Sequence, residues 1–78
     1  MNPSVHVRLR VMREVGAVRQ DDVVAGLRQR GVRLGQGDLS QIECGQRPIS
    51  AQLARHISDV VIQIIEARLK SVKELAAQ

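Results

Sequence analysis

Glycines at positions 16, 31 and 45 each follow a stretch whose apolar residues recur every three or four places, which cuts the first part of the chain into short helices. In the first segment Val5, Leu9 and Met12 mark the helical spacing, joined by Val11 and Val15; Arg8, Arg10, Arg13 and Glu14 fill the other positions, and Gly16 ends it. A second helix is expected to begin at Arg19 or Gln20, because Asp21 and Asp22 then sit in the first turn, where the helix dipole favours negative charge. Val23, Val24 and Leu27 give its buried stripe, and Gly31 suits the left-handed position that closes many helices. Val32 to Gly37 supplies the connection to a short third helix, from about Gln36 to Cys44, with Leu39 and Ile42 turned inward and Gly45 stopping it.

Met1 to Ser4 reads as a frayed lead-in, with Ser4 able to cap the first helix. Beyond a loop at Gln46 to Ile49, Ser50 caps a long final helix. This helix either runs unbroken to Ala76 or bends near Ser58 and Asp59, where Asp59 would cap its second part. One apolar line along it is Leu53, Ile57, Val60 and Ile64, and a second is Val61, Ile65, Leu69, Val72 and Leu75. Together they are wider than a small bundle can cover, so a homodimer joined through Val61, Ile65, Leu69 and Val72 is expected.

Composition narrows the partners. Phe, Tyr and Trp are all absent from the 78 residues, so the core must be aliphatic, and the rings on which single-stranded nucleic acids stack are missing. The net charge is +4 and ten of the twelve cations are Arg, whose planar fork suits phosphates and guanine edges. One cysteine excludes an internal disulfide, and no apolar run approaches the ~20 residues of a membrane span, so a cytoplasmic protein is expected. Two isolated histidines and Cys44 give neither metal-ligand spacing nor a convergent catalytic set, so no metal, cofactor or enzymatic activity is expected.

The stretches Leu9-Arg10-x-x-Arg13, Gly16, Gln20-Asp21-Asp22-Val23-Val24 and Leu39-Ser40-Gln41-Ile42-Glu43-x-Gly45-x-Arg47 resemble the Cro and XRE-type, lambda-repressor-like helix-turn-helix family, over roughly Val7 to Ile57. The segment between Leu27 and Leu39 is longer than the commonest turn of that family, so the match is to a longer-turned variant. The resemblance implies an all-α bundle of four to five helices, with residues 1–58 as the DNA-binding unit and residues 59–78 as an extended dimerisation helix. It also implies that Arg13 and Glu43 pair and lock the first helix against the third.

In such a fold the third helix enters the major groove with its N-terminal residues nearest the bases. Gln36 and Gln41 are then the readers, since an amide matches the N6 and N7 of adenine, although Gln36 can equally be an uncommitted loop residue. Gly37 permits close approach, and Ser40 can donate to a base or phosphate. Asp38 either reads a cytosine amino group or caps the helix. Gln20, Arg47, Arg19 and Arg33 are expected at phosphates, the last two being alternatively solvated arginines. The function implied is a transcriptional regulator, a repressor, bound as a homodimer to an inverted-repeat operator in double-stranded DNA. The alternatives are a protein-interaction module of the same fold, or an antitoxin or phage-type regulator whose C-terminal helix takes a protein partner.

Overall fold

A computed structural model describes residues 4–78; Met1 to Pro3, most of the expected lead-in, lie outside the described residues. Four helices follow one another: α1 (Val5–Val15), α2 (Gln20–Gln29), α3 (Gln36–Glu43) and α4 (Ala51–Ala76), with no strand among the described residues. The protein is thus an all-α bundle. α1 and α2 each pack against both α3 and α4, whereas α3 and α4 touch each other little and stand at opposite corners of the bundle.

The core between the helices is entirely aliphatic: Leu9, Val18, Val23, Leu27, Leu34, Leu39, Ile42, Ile57, Val60 and Val61. Without aromatic rings to span gaps, the helices must approach closely. At Gly26 a Cβ would stand 2.5 Å from a Val60 methyl, so α2 can lie this near α4 only where a side chain is missing.

α1, α2 and α3 close by one device. In each, the second residue past the cap donates its N–H to a carbonyl five positions back: Val18 to Arg13, Val32 to Leu27 and Gln46 to Gln41, all at 2.9 Å. The turn requires a left-handed residue just before the donor, and Gly31 (φ 78°) and Gly45 (φ 76°) supply it for α2 and α3. At α1 the expected glycine is not the one used: Gly16 has φ −79°, and Ala17 carries the left-handed conformation at φ 55°. Gly16 lies under α4 instead. A Cβ there would run into the Ile65 side chain of α4, which would have to move aside to admit it. Ala17→Gly is therefore expected to stabilise the fold by ~0.5–1 kcal/mol, since the left-handed strain on alanine exceeds the extra entropy glycine loses. Urea unfolding with an unchanged m-value would measure it; a loss of stability would refute the strain.

Ser50 caps α4 as expected, accepting from Leu53 N–H at 3.1 Å. Ser4 stands at the N-cap of α1 without capping it, its hydroxyl lying 3.1 Å from Nδ1 of His6 instead. α4 is continuous, and Asp59 does not start a new helix; its carboxylate meets Arg30 at 3.4 Å and ties α4 to the end of α2. One expected interface residue is misplaced. Val61 is wholly buried in the chain's own core, so it cannot meet a second subunit. Ile65 is half-buried beside that core, while Leu69 and Val72 remain exposed.

Candidate nucleic-acid interface

The candidate interface begins with a buried charge. Glu43, on the last turn of α3, is 3% exposed, and an isolated carboxylate there would be prohibitively costly. Arg13 of α1 meets it side-on: Nε donates to Oε2 at 2.7 Å and Nη2 to Oε1 at 2.8 Å, while Nη1 donates to the Val18 carbonyl at 3.1 Å. The Glu43 hydrogen bond raises the Arg13 pKa further above its already high ordinary value, outweighing the opposing effect of burial. A third helix joins the same carboxylate, because Gln20 Nε2, at the start of α2, donates to Oε1 at 3.0 Å.

Gln20 is therefore not a free phosphate ligand as expected: its amide nitrogen is committed to Glu43. Its Oε1 accepts from Gln36 Nε2 at 3.4 Å, so the first residues of α2 and α3 lie side by side. Two helix N-termini, each with unsatisfied N–H groups and a positive dipole end, are thereby brought to one edge of the surface. Arg19 precedes one and Arg33 the other, and both are exposed.

With Leu39, Ile42 and Glu43 turned inward, helical spacing sets Gly37, Ser40, Gln41 and Cys44 along the outer side of α3. Gln36, Gly37 and Gln41 are exposed and Ser40 is half-buried. A Cβ at Gly37 would meet nothing within 4 Å, so no packing demand of the fold itself explains a glycine there.

Of the two roles open to Asp38, a base contact and a helix cap, the structure shows the cap. Its Oδ2 accepts from Gly35 N–H at 3.0 Å, capping α3, and its Oδ1 accepts from Arg47 Nη1 at 2.6 Å. Both oxygens are engaged, which selects the capping role. Arg47, expected at a phosphate, is held by the same contact, and would have to leave or share that partner to reach one. Asp22 caps α2 in the same manner, accepting from Arg19 N–H at 3.3 Å.

Two further arginines leave no signal in the local sequence pattern. Arg28 lines, with Gly31, Arg33, Leu34 and Gly35, an open cleft beside the long α2–α3 connection, and among the described residues neither Arg28 nor Arg33 forms an ion pair. Arg68 of α4 donates to the carbonyls of Gly16 and Ala17 at 3.0 and 2.8 Å and approaches Asp22 at 3.6 Å, bracing the α1–α2 turn. The apolar pattern gave no signal for Arg68, because a polar residue ends the inward line of α4 where the bundle stops.

Among the described residues no helix is long and apolar enough to cross a membrane, and no cluster of His, Cys, Asp or Glu is suited to a metal. Comparison with protein-family models, with curated proteins and with solved structures found no match to the chain.

Proposed function

We propose that the protein is a sequence-specific, double-stranded DNA-binding regulator of transcription of the Cro/XRE type, a repressor acting as a homodimer on an inverted-repeat operator. One observation carries this reading: the N-terminal turns of α2 and α3 converge at Gln20 and Gln36 beside exposed Arg19 and Arg33. Dipole ends, remaining free N–H groups and guanidinium groups there attract phosphate, against the opposing carboxylates of Asp22 and Asp38 that cap the two ends and of Asp21 near Arg19. α3 supports the reading from its other side, being anchored by Leu39, Ile42 and the Arg13–Glu43 pair while Gln36, Gly37 and Gln41 stay exposed. In the bound state Gln41 reads a base edge, Gly37 lets the backbone close on the groove, and Arg19 and Arg33 hold phosphates.

The test is titration with duplex DNA at several salt concentrations. A steep fall of log affinity with log salt is expected, as is a loss of ~1–3 kcal/mol of discrimination at one base position in Gln41→Ala, with binding to random duplex unchanged. Absence of duplex binding at low salt would overturn the proposal in favour of a protein-docking role.

A further inference from the structure

Beyond the bundle, α4 carries exposed Ile62 (41%), Leu69 (51%) and Val72 (60%), which with half-buried Ile65 and with Ala76 repeat at alternating steps of three and four. That spacing is the seam of a two-stranded coiled coil. We infer that a second copy of this chain covers it, with the two α4 helices antiparallel and the two-fold axis passing between Leu69 and Val72. The inference rests on the homodimer proposed above and fixes its geometry.

Charge decides the orientation. The positions flanking the seam are Glu66 and Lys73 on one side and Arg68 and Leu75 on the other. A parallel pair would set Arg68 against Lys73 of the second copy, twice, placing like charges together. An antiparallel pair sets Glu66 against Lys73 of the second copy, twice, placing opposite charges together. It also brings Leu75 of the second copy next to Arg68, and hence to the end of α1. Val15 stands there 81% exposed and Leu75 itself is 70% exposed, so each becomes cover for the other.

The arrangement suits the proposed DNA surface. On α4 the line facing its own bundle, Ile57, Val60, Val61 and Arg68, lies about a quarter turn from the seam. A two-fold axis perpendicular to the paired helices then leaves both bundles on one side of them. Because α3 stands at the corner of the bundle opposite α4, both α3 helices face away from the pair in the same direction. The buried stretch Ile57 to Val61 lies roughly 17 Å along α4 from the axis, which separates the two bundles by about 35 Å. One turn of duplex is ~34 Å.

Sedimentation equilibrium of the whole chain without DNA tests the pairing. The wild type is expected at the mass of two chains, and Leu69→Asp at the mass of one, with its helical circular dichroism intact because Leu69 is exposed. Lys73→Glu alone should weaken the dimer about tenfold, and Glu66→Lys combined with Lys73→Glu should restore it. A wild-type monomer at about 100 μM, or a dimer in Leu69→Asp, overturns the pairing, the former leaving the stripe to a different protein. Tightening by Lys73→Glu alone overturns the antiparallel orientation. A dimer that obeys the charge swap but binds no duplex would refute the DNA reading and leave this inference standing.

Discussion

Arg13→Ala is expected to remove ~3–5 kcal/mol of stability, because it leaves the buried Glu43 carboxylate with no cation and only the Gln20 N–H. Small domains hold about 5–15 kcal/mol in total, so this is a large share of it and the melting temperature should fall sharply. The loss does not measure what the pair adds. Replacing both partners by apolar residues, as in Arg13→Met with Glu43→Leu, removes the charge together with its need for a partner, and should recover most of the loss. Thermal and urea unfolding of the two single variants and the double variant give the coupling energy. A loss under ~1 kcal/mol in Arg13→Ala would mean that water reaches Glu43. Arg13 itself adds no pH dependence near neutrality. Its folded pKa is raised, so its contribution is complete below the unfolded value and is lost only in strong alkali.

Leu39→Ala is expected to cost ~2–5 kcal/mol and to fall hardest on α3. The helix has eight residues, well short of the ~12–15 at which an isolated helix becomes marginally stable, so tertiary anchors hold it. Leu39 and Ile42 are both fully buried and are its apolar anchors. Removing one opens a cavity beside the Arg13–Glu43 contact and frees the segment proposed to enter the groove. Hydrogen exchange should show α3 amides losing protection before those of α2, and duplex affinity should drop with them. Gln41→Ala, on the outer side of the same helix, should leave protection unchanged. Uniform loss of protection across all four helices in Leu39→Ala would show that α3 does not open separately.

The chain order of four helices was legible because helical periodicity and closing residues agreed. Gly31 and Gly45 sit where a left-handed turn is needed, and Ser50 caps α4 as its position suggests. The misreadings arose where tertiary contact overrode a local rule. Gly16 reads as a closing glycine, but it lies under the Ile65 side chain, and Ala17, directly before the Val18 donor, takes the left-handed turn. On α4, periodicity yields two neighbouring apolar lines and cannot say which lies inward, so Val61 was assigned to the outside. Arg68, seven residues beyond Val61, marks the inward side by reaching the α1–α2 turn, a long-range contact that leaves no trace in the local pattern. At the candidate interface, the Arg13–Glu43 contact was expected from the family resemblance. The Asp38–Arg47 bond spans nine residues across a turn, and the Gln20–Glu43 bond joins separate helices, so neither leaves a trace in local spacing.

One oxygen of Glu43 accepts from both Arg13 and Gln20, so a single carboxylate fixes the mutual tilt of α1, α2 and α3. Shortening it to aspartate, or neutralising it, would disturb two neighbours at once, and neither could adapt alone. Over generations positions 13, 20 and 43 would thus be inherited as a block, free to drift only by concerted replacement, while the outer residues of α3 diversify independently.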